Sequence, residues 1–130
     1  MSPLAGYIAI LDDDASLRTA MARLLQAFSM RVQTYGTARE FIDSLPLQVP
    51  ACLIVDLQLE GMTGLELQHY LAGTEIKIPT IILTALDTPG MRERCLKAGA
   101  VDFLVKPVDK DRLLRTIMVA VGQNGRLPAL

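Results

Sequence analysis

The chain has 130 residues, of which 51% are hydrophobic and 21% charged, and its formal net charge at pH 7 is −1. This composition is typical of one globular domain and excludes a disordered chain. The total charge favours neither a nucleic-acid-binding nor a membrane-binding protein. Residues 1–90 carry five Lys and Arg against ten Asp and Glu, whereas residues 91–130 carry eight against four. This asymmetry is either random surface charge or an acidic working edge with a more basic partner face.

Membrane and secretion signals are not visible in the sequence. No stretch approaches the roughly 18 apolar residues of a membrane helix, and the N-terminal residues lack the basic start and long apolar region of a secretory signal. Cys52 and Cys95 are far apart, each within an apolar segment. We therefore expect a cytoplasmic protein with reduced, buried thiols and no disulfide or zinc site. His69, the single histidine, has no partner at ligand spacing and is expected to be a solvated helix residue.

Short apolar segments alternate with segments of helical periodicity along the chain. The predicted strands are residues 7–11, 31–35, 51–56, 79–84 and 101–105. The predicted helices are residues 17–28, 37–45, 63–71, 88–99 and 113–121. Strict alternation of strand and helix implies an α/β fold in which a five-stranded parallel sheet carries helices on both faces.

Capping and turn residues set the predicted ends of two helices. Asp14 or Ser16 can cap the first helix. Its periodicity places Phe28 in the core and Arg18 in solvent. Thr88–Pro89 favours the start of the fourth helix, because Pro is common at the first helical position.

One domain accounts for almost the whole sequence. We find no internal repeat and no second composition regime. We therefore assign residues 1–121 to a single domain. Residues 122–130, with two glycines and a proline, are predicted to form a flexible tail or the start of an interdomain linker.

Polar residues stand at the ends of four of the five predicted strands. In a parallel sheet, the carboxyl ends of all strands lie along one edge. The residues at these ends are Asp12, Asp13, Asp56, Thr84 and Lys106. Three carboxylates, one hydroxyl and one ammonium group are therefore expected to converge on a single patch.

The chemistry of this patch favours a divalent cation. Three crowded carboxylates repel one another unless cations intervene, and Lys106 alone leaves two negative charges uncompensated. Oxygen ligands without a nearby His or Cys favour Mg²⁺ over zinc. An Asp can also act as a nucleophile that forms an aspartyl-phosphate. Thr84 and Lys106 would then bind oxygens of the transferred group.

Five landmarks, taken together in order and spacing, resemble a known family. They are Ile10–Asp14, Val55–Leu57, Met62–Leu67, Leu83–Ala85 and Lys97–Pro107. Over residues 7–121 the sequence resembles the receiver domain of two-component response regulators. The resemblance implies a doubly wound, flavodoxin-like (βα)5 three-layer sandwich that serves as a signalling domain and not as an enzyme.

The resemblance also implies which residues hold the phosphoryl group and the metal. Asp56 would accept a phosphoryl group from a sensor histidine kinase. Mg²⁺ would be held by Asp13, Asp56 and the backbone carbonyl of Gln58. Asp12 would assist through a water molecule.

A second set of roles concerns signalling. By resemblance, Thr84 and Lys106 sense the phosphoryl group and Phe103 is the aromatic switch residue. Phe103 stands where many relatives have Tyr, so its switching must rely on packing without a hydroxyl hydrogen bond. The Lys106–Pro107 peptide bond is typically cis in the family. Phosphorylation is expected to remodel the face made by the fourth helix, fifth strand and fifth helix, where the basic excess falls.

The output of the switch has two candidates. Gly99–Pro107 resembles regulators that end in a LuxR-type helix-turn-helix domain, so we expect control of a DNA-binding output domain. The alternative is a stand-alone or phosphorelay receiver without such an output. The gene sequence beyond Leu130 would separate the two. Phosphorylation-dependent homodimerisation is a further expectation from the family.

Two other function classes are weighed against the receiver. A hydrolase with an aspartate nucleophile usually needs a second Asp two positions later, where this chain has Gln58. A degenerate receiver that binds partners without phosphate is disfavoured because Asp13, Asp56, Thr84 and Lys106 are all present.

Overall fold

The computed structural model describes residues 6–122 of the chain, and within them strands and helices alternate strictly. The strands are β1 (Ile8–Leu11), β2 (Val32–Tyr35), β3 (Cys52–Asp56), β4 (Thr80–Thr84) and β5 (Asp102–Val105). The helices are α1 (Ala15–Ala27), α2 (Ala38–Ser44), α3 (Gly64–Ala72), α4 (Met91–Lys97) and α5 (Lys110–Gly122). Each predicted element is present, so the α/β prediction is confirmed.

The five strands form one parallel sheet in the order β2-β1-β3-β4-β5. The chain reverses direction across the sheet between β1 and β3, because β2 lies on one side of β1 and all later strands lie on the other. Ligands of doubly wound sheets bind outside the carboxyl ends of the strands at such a reversal. Asp56, the last residue of β3, lies at this point of the edge.

The sheet separates two hydrophobic cores. Alternate strand residues point to opposite faces, so Ile54 packs in one core and its neighbour Val55 in the other. Met21 and Leu25 of α1 and Leu113 of α5 cover the Ile54 face. Residues of α2, α3 and α4 cover the Val55 face, among them Phe41, Leu67 and Cys95. The helices therefore lie on both faces, as the doubly wound fold requires.

Both cysteines are free and buried, as predicted. Burial raises the pKa of Cys52 to about 12. Burial also raises the pKa of Cys95, against a smaller opposing effect of Arg94. His69 is exposed on α3, in agreement with the prediction. None of the helices in residues 6–122 has the length and apolarity that a membrane span requires.

The predicted start of α4 at Thr88–Pro89 is wrong. Helix α4 begins at Met91, and its N-cap Gly90 has a left-handed backbone with φ of 81°. The Met91 N–H donates to the Thr88 carbonyl at 3.1 Å, so these residues form a turn before the helix. Because the left-handed Gly90 lies between Pro89 and the helix, the proline cannot be its first residue.

The predicted burial of Phe28 is also wrong. Helix α1 ends at Ala27, and Phe28 is its C-cap with a non-helical backbone. The helical periodicity therefore no longer fixes its direction, and Phe28 is 49% exposed. At the other end of the chain, Gly122 belongs to α5 although the sequence placed it in the tail. The remainder of that predicted tail, residues 123–130, lies outside the described residues.

Candidate functional site

Three carboxylates meet at the carboxyl edge of the sheet. Asp12 and Asp13 follow β1, and Asp56 ends β3, the neighbouring strand. One oxygen from each side chain can be chosen so that all three lie within 4.8 Å of one another. Asp12 and Asp56 are buried, at 2% and 7% exposure, whereas Asp13 is exposed. The predicted acidic cluster is therefore present, with its open side at Asp13.

Lys106, which follows β5, reaches across to two of these carboxylates. Its Nζ donates to Asp56 Oδ2 at 2.7 Å and to Asp12 Oδ2 at 3.0 Å. The Lys106–Pro107 peptide bond is cis, as the resemblance implied. Burial lowers the pKa of Lys106, but the hydrogen bonds and negative charges of Asp56 and Asp12 outweigh it. The pKa therefore lies above its ordinary value of 10.5, and the ammonium group stays charged at neutral pH.

The remaining oxygens of the two buried carboxylates are bound by the backbone in the same way. Asp12 Oδ1 accepts from the Asp14 N–H at 2.9 Å, and Asp56 Oδ1 accepts from the Gln58 N–H at 2.9 Å. Asp side chains commonly bind the backbone two residues on. Each buried carboxylate is thus fixed by one backbone N–H and by Lys106. Each of its oxygens still has lone-pair capacity for a further partner.

We expect replacement of Lys106 by Met to destabilise the metal-free protein. The substitution leaves Asp12 and Asp56 buried without their shared cation, and unsatisfied buried acceptors cost about 1–3 kcal/mol. Urea denaturation at neutral pH without Mg²⁺ measures the loss. Lys110→Met is the matched control, because Lys110 is exposed and takes part in no ion pair with the described residues. Equal stability of the two variants would contradict the assigned role of Lys106.

Gly64, the first residue of α3, brings this helix against the loop that follows Asp56. Its N–H donates to the Leu57 carbonyl at 2.8 Å. A Cβ at Gly64 would lie 2.9 Å from the Asp56 carbonyl oxygen and 3.1 Å from Leu57 Cα. The helix start is fixed by a capping box in which Thr63 and Glu66 bind each other's backbone N–H groups. The loop therefore has no room for a side chain at Gly64.

A Gly64→Ala substitution is expected to displace the Asp56 loop. The contacting atoms are backbone and cannot rotate away, so the loop or the whole start of α3 must move. We expect a loss of about 1–3 kcal/mol in the free energy of unfolding, which is typical of overpacking. Urea denaturation measures it. Gly73→Ala is the control, since a Cβ there would come no closer than 3.5 Å to its neighbours. A Gly64→Ala variant as stable as wild type would contradict the close approach.

Thr84 lies at the carboxyl end of β4, but its hydroxyl is engaged locally. Its Oγ1 donates to the Leu86 carbonyl at 3.0 Å and accepts from the Leu86 N–H at 3.1 Å. The side chain is fully buried. The structure therefore places Thr84 at the predicted edge, beside β3 and β5. A contact with a group on Asp56 would require the hydroxyl to exchange these local bonds.

The other predicted residues occupy two different environments. Phe103 in β5 is 1% exposed and packs in the core beneath α2, α3 and α4. Its backbone carbonyl accepts from Arg92 Nη1 at 2.7 Å, which connects β5 to α4. Gln58 presents its N–H to Asp56 and leaves its side chain exposed.

Sequence reasoning missed one contact at this edge. We predicted Arg18 to face solvent, but its Nη1 donates to the Asp12 carbonyl at 2.6 Å. Helical spacing shows only which side of α1 carries Arg18. It gives no sign that the long side chain turns back over the end of β1.

The chain matches one protein family and several curated proteins in sequence. Residues 8–118 match the family described as the response regulator receiver domain. Nodulation protein W of Bradyrhizobium diazoefficiens is 36% identical over 115 residues, which are 88% of this chain and 51% of that protein. Transcriptional regulatory protein TdiR of Thauera aromatica is 32% identical, over 92% of this chain and 53% of that protein. The chain thus spans about half the length of these curated relatives.

Solved structures agree with both the fold and the family. Full-length FixJ from B. japonicum superposes with a TM-score of 0.84 and 33% identity, covering 91% of this chain and 58% of that chain. A response regulator receiver protein from Burkholderia phymatum gives a TM-score of 0.80 and 38% identity, covering 91% of this chain and 96% of that chain. Receiver domains generally bind Mg²⁺ at an acidic cluster, and this chain has one at the expected edge. The chain belongs to the response regulator receiver domain family.

Proposed function

We propose that Asp56 is the phosphoacceptor of this receiver domain and takes its phosphoryl group from the phosphohistidine of a sensor kinase. One observation carries the proposal. The Asp56 carboxylate is held by Lys106 at 2.7 Å and by the Gln58 N–H at 2.9 Å, beside two further carboxylates. This arrangement supports the proposal, because it would hold Asp56 as a nucleophile where cations can neutralise an incoming phosphoryl group.

The transfer exchanges one bond for another. A carboxylate oxygen of Asp56 attacks phosphorus, the bond from phosphorus to the kinase imidazole nitrogen breaks, and the imidazole departs with the bonding electron pair. Phosphoryl transfer depends mainly on positioning and on neutralisation of charge. Lys106 supplies a positive charge already in contact with Asp56. Gln58 stands where aspartate-nucleophile hydrolases need a second Asp, so we assign signalling and not repeated turnover.

Mg²⁺ fits the residues of the acidic cluster. The donors are oxygens from three carboxylates within 4.8 Å of one another. Lys106 pairs with only two of them, Asp12 and Asp56, which leaves negative charge for a divalent ion. Asp13, Asp56 and the Gln58 carbonyl would hold the ion directly, and Asp12 would do so through water. The bound ion supplies positive charge for the phosphoryl oxygens.

Thr84 and Phe103 are proposed to convert phosphorylation into a change of surface. The Thr84 hydroxyl would exchange its bonds to Leu86 for a phosphoryl oxygen, and Lys106 would bind another. Movement of Thr84 would free space for repacking of Phe103, which lies two residues before the end of β5. The face made by α4, β5 and α5 would then differ between the two states.

The names of the relatives support a proposal for the output. Relatives of about twice this length include proteins named as transcriptional regulators, which supports control of a DNA-binding domain attached to the receiver. We assign residues 1–121 to the receiver, residues 122–130 to a tail or linker, and the protein to the cytoplasm. The homodimer of the phosphorylated form also belongs to this proposal. A gene that ends at codon 130 would instead favour the stand-alone receiver.

Chemical phosphorylation and a phosphoryl mimic test the site directly. Incubation with acetyl phosphate and Mg²⁺ should add one phosphoryl group, and peptide mapping after borohydride reduction should place it on Asp56. Beryllofluoride with Mg²⁺ should shift the amide resonances of residues around Asp56, Thr84 and Phe103. Labelling elsewhere, or no response to either reagent, would refute the proposed function.

A further inference from the structure

The Arg18 side chain leaves α1 and returns to the loop that carries the acidic cluster. Its Nη1 donates to the backbone carbonyl of Asp12 at 2.6 Å, and the residue is only partly exposed. A charged guanidinium donor makes a stronger hydrogen bond than a neutral one. The backbone of the same loop is held from α1 a second time, because Asp14 caps that helix and accepts from the Ser16 and Leu17 N–H groups.

Gly36, which follows β2, leaves the space that the guanidinium occupies. A Cβ at Gly36 would lie 3.3 Å from Arg18 Nη1 and 3.6 Å from its Cζ. The backbone of Gly36 is not left-handed, so its conformation does not itself demand glycine. A side chain at Gly36 would therefore press on the Arg18 guanidinium and come within 3.6 Å of Glu40 Oε1.

Asp13 depends on this loop for its position. Its carboxylate is exposed and makes no hydrogen bond or ion pair with the described residues, unlike those of Asp12 and Asp56. Only the backbone can therefore direct it toward the cluster. The carbonyl that Arg18 binds belongs to the peptide unit joining Asp12 to Asp13. With this peptide held by Arg18 and the following Asp14 N–H held by Asp12 Oδ1, the direction in which the Asp13 side chain leaves the chain is restricted.

We propose that Arg18 is a positioning residue for the Mg²⁺ site, which it serves by orienting the Asp12–Asp13 peptide while Gly36 keeps its place open. The inference rests on the proposed function, since it assigns Asp13 as a metal ligand. Residues that orient metal ligands from outside the coordination shell typically contribute 10–100-fold in affinity.

Charge and positioning predict opposite effects for the loss of Arg18. A positive guanidinium near the site repels Mg²⁺, so its removal would tighten binding if charge alone mattered. If Arg18 orients the Asp13 ligand, its removal weakens binding. The sign of the change in Mg²⁺ affinity therefore separates the two effects.

Mg²⁺ titration by calorimetry, with amide chemical shifts as a second readout, tests the proposal. Arg18→Ala should weaken Mg²⁺ binding about tenfold. Gly36→Ala should also weaken it, but by less, because a methyl carbon 3.3 Å from Nη1 makes the guanidinium shift by a few tenths of an ångström while its charge remains. The double variant should bind no more weakly than Arg18→Ala alone, since both changes break one contact. Arg23→Ala, an exposed change on the same helix, controls for lost charge and should leave affinity unaltered.

The possible results separate this inference from the function on which it rests. A wild-type chain that binds no Mg²⁺ overturns both proposals. A wild-type chain that binds Mg²⁺, with unchanged or tighter binding in the Arg18→Ala and Gly36→Ala variants, overturns only the role of Arg18. Circular dichroism and urea denaturation establish that each variant is folded. Should Arg18→Ala not fold, Arg18→Met, which keeps a side chain of similar length but has no donor, decides the question.

Discussion

An Asp56→Asn variant is expected to take up no phosphoryl group from acetyl phosphate and Mg²⁺. The amide lacks the negative oxygen that attacks phosphorus, while its size lets the loop stay in place. The hydrogen bond from the Gln58 N–H to the side-chain oxygen can remain. The fold should therefore survive and the labelling should fall to background. Intact-protein mass measured over a time course of acetyl phosphate treatment checks this result.

Asp14→Asn provides a matched control within the same acidic edge. Asp14 caps α1 and is exposed, and it is not one of the three clustered carboxylates. Asn is as good an N-cap as Asp, so this variant should be labelled like wild type. Phosphorylation of the Asp56→Asn variant at another residue, with wild-type yield, would remove Asp56 from its assigned role.

Replacement of Asp13 by Asn should stabilise the metal-free protein and weaken its binding of Mg²⁺. Without Mg²⁺ the free energy of unfolding should rise by about 1 kcal/mol, since one of three mutually repelling carboxylates becomes neutral and no hydrogen bond is lost. With Mg²⁺ the variant should bind the ion at least tenfold more weakly, because a charged ligand is gone. The third carboxylate would thus strengthen Mg²⁺ binding and lower the stability of the metal-free protein.

Urea denaturation of wild type and Asp13→Asn, each with and without Mg²⁺, measures both effects. Wild type should gain stability on addition of the ion, because a ligand that binds only the folded state stabilises it. The variant should begin more stable and gain little. Asp43→Asn serves as control, since Asp43 lies on α2 in an exposed ion pair with Arg39 and should show neither effect. A less stable Asp13→Asn variant without Mg²⁺ would show that repulsion in the cluster is negligible.

The fold and the main residues of the site could be predicted because both depend on periodicity. Strict alternation of apolar strands and amphipathic helices determines a parallel sheet, and a parallel sheet brings its strand ends to one edge. Asp12, Asp13, Asp56 and Lys106 could therefore be placed together without knowledge of any contact. The cis peptide and the residue roles came from the family resemblance and not from such reasoning.

The features that the sequence did not predict depend on side-chain direction and on single backbone angles. The left-handed Gly90 moved the start of α4, and a turn sequence does not specify which residue carries the positive φ. The inward turn of Arg18 and the local bonds of Thr84 depend on rotamers chosen by the surrounding tertiary structure. Rotamers of this kind do not produce a periodic pattern in the sequence, so they could not be predicted from it.

The reach of Lys106 has a consequence for how the protein is made. Its two acidic partners lie 94 and 50 residues earlier in the chain, and the strand β4 lies between β3 and β5 in the sheet. During synthesis, Asp12 and Asp56 leave the ribosome long before the amine that holds them. A nascent or truncated chain that ends before β5 therefore also lacks Lys106, and the proposed acceptor site is complete only when the whole sheet has been synthesised.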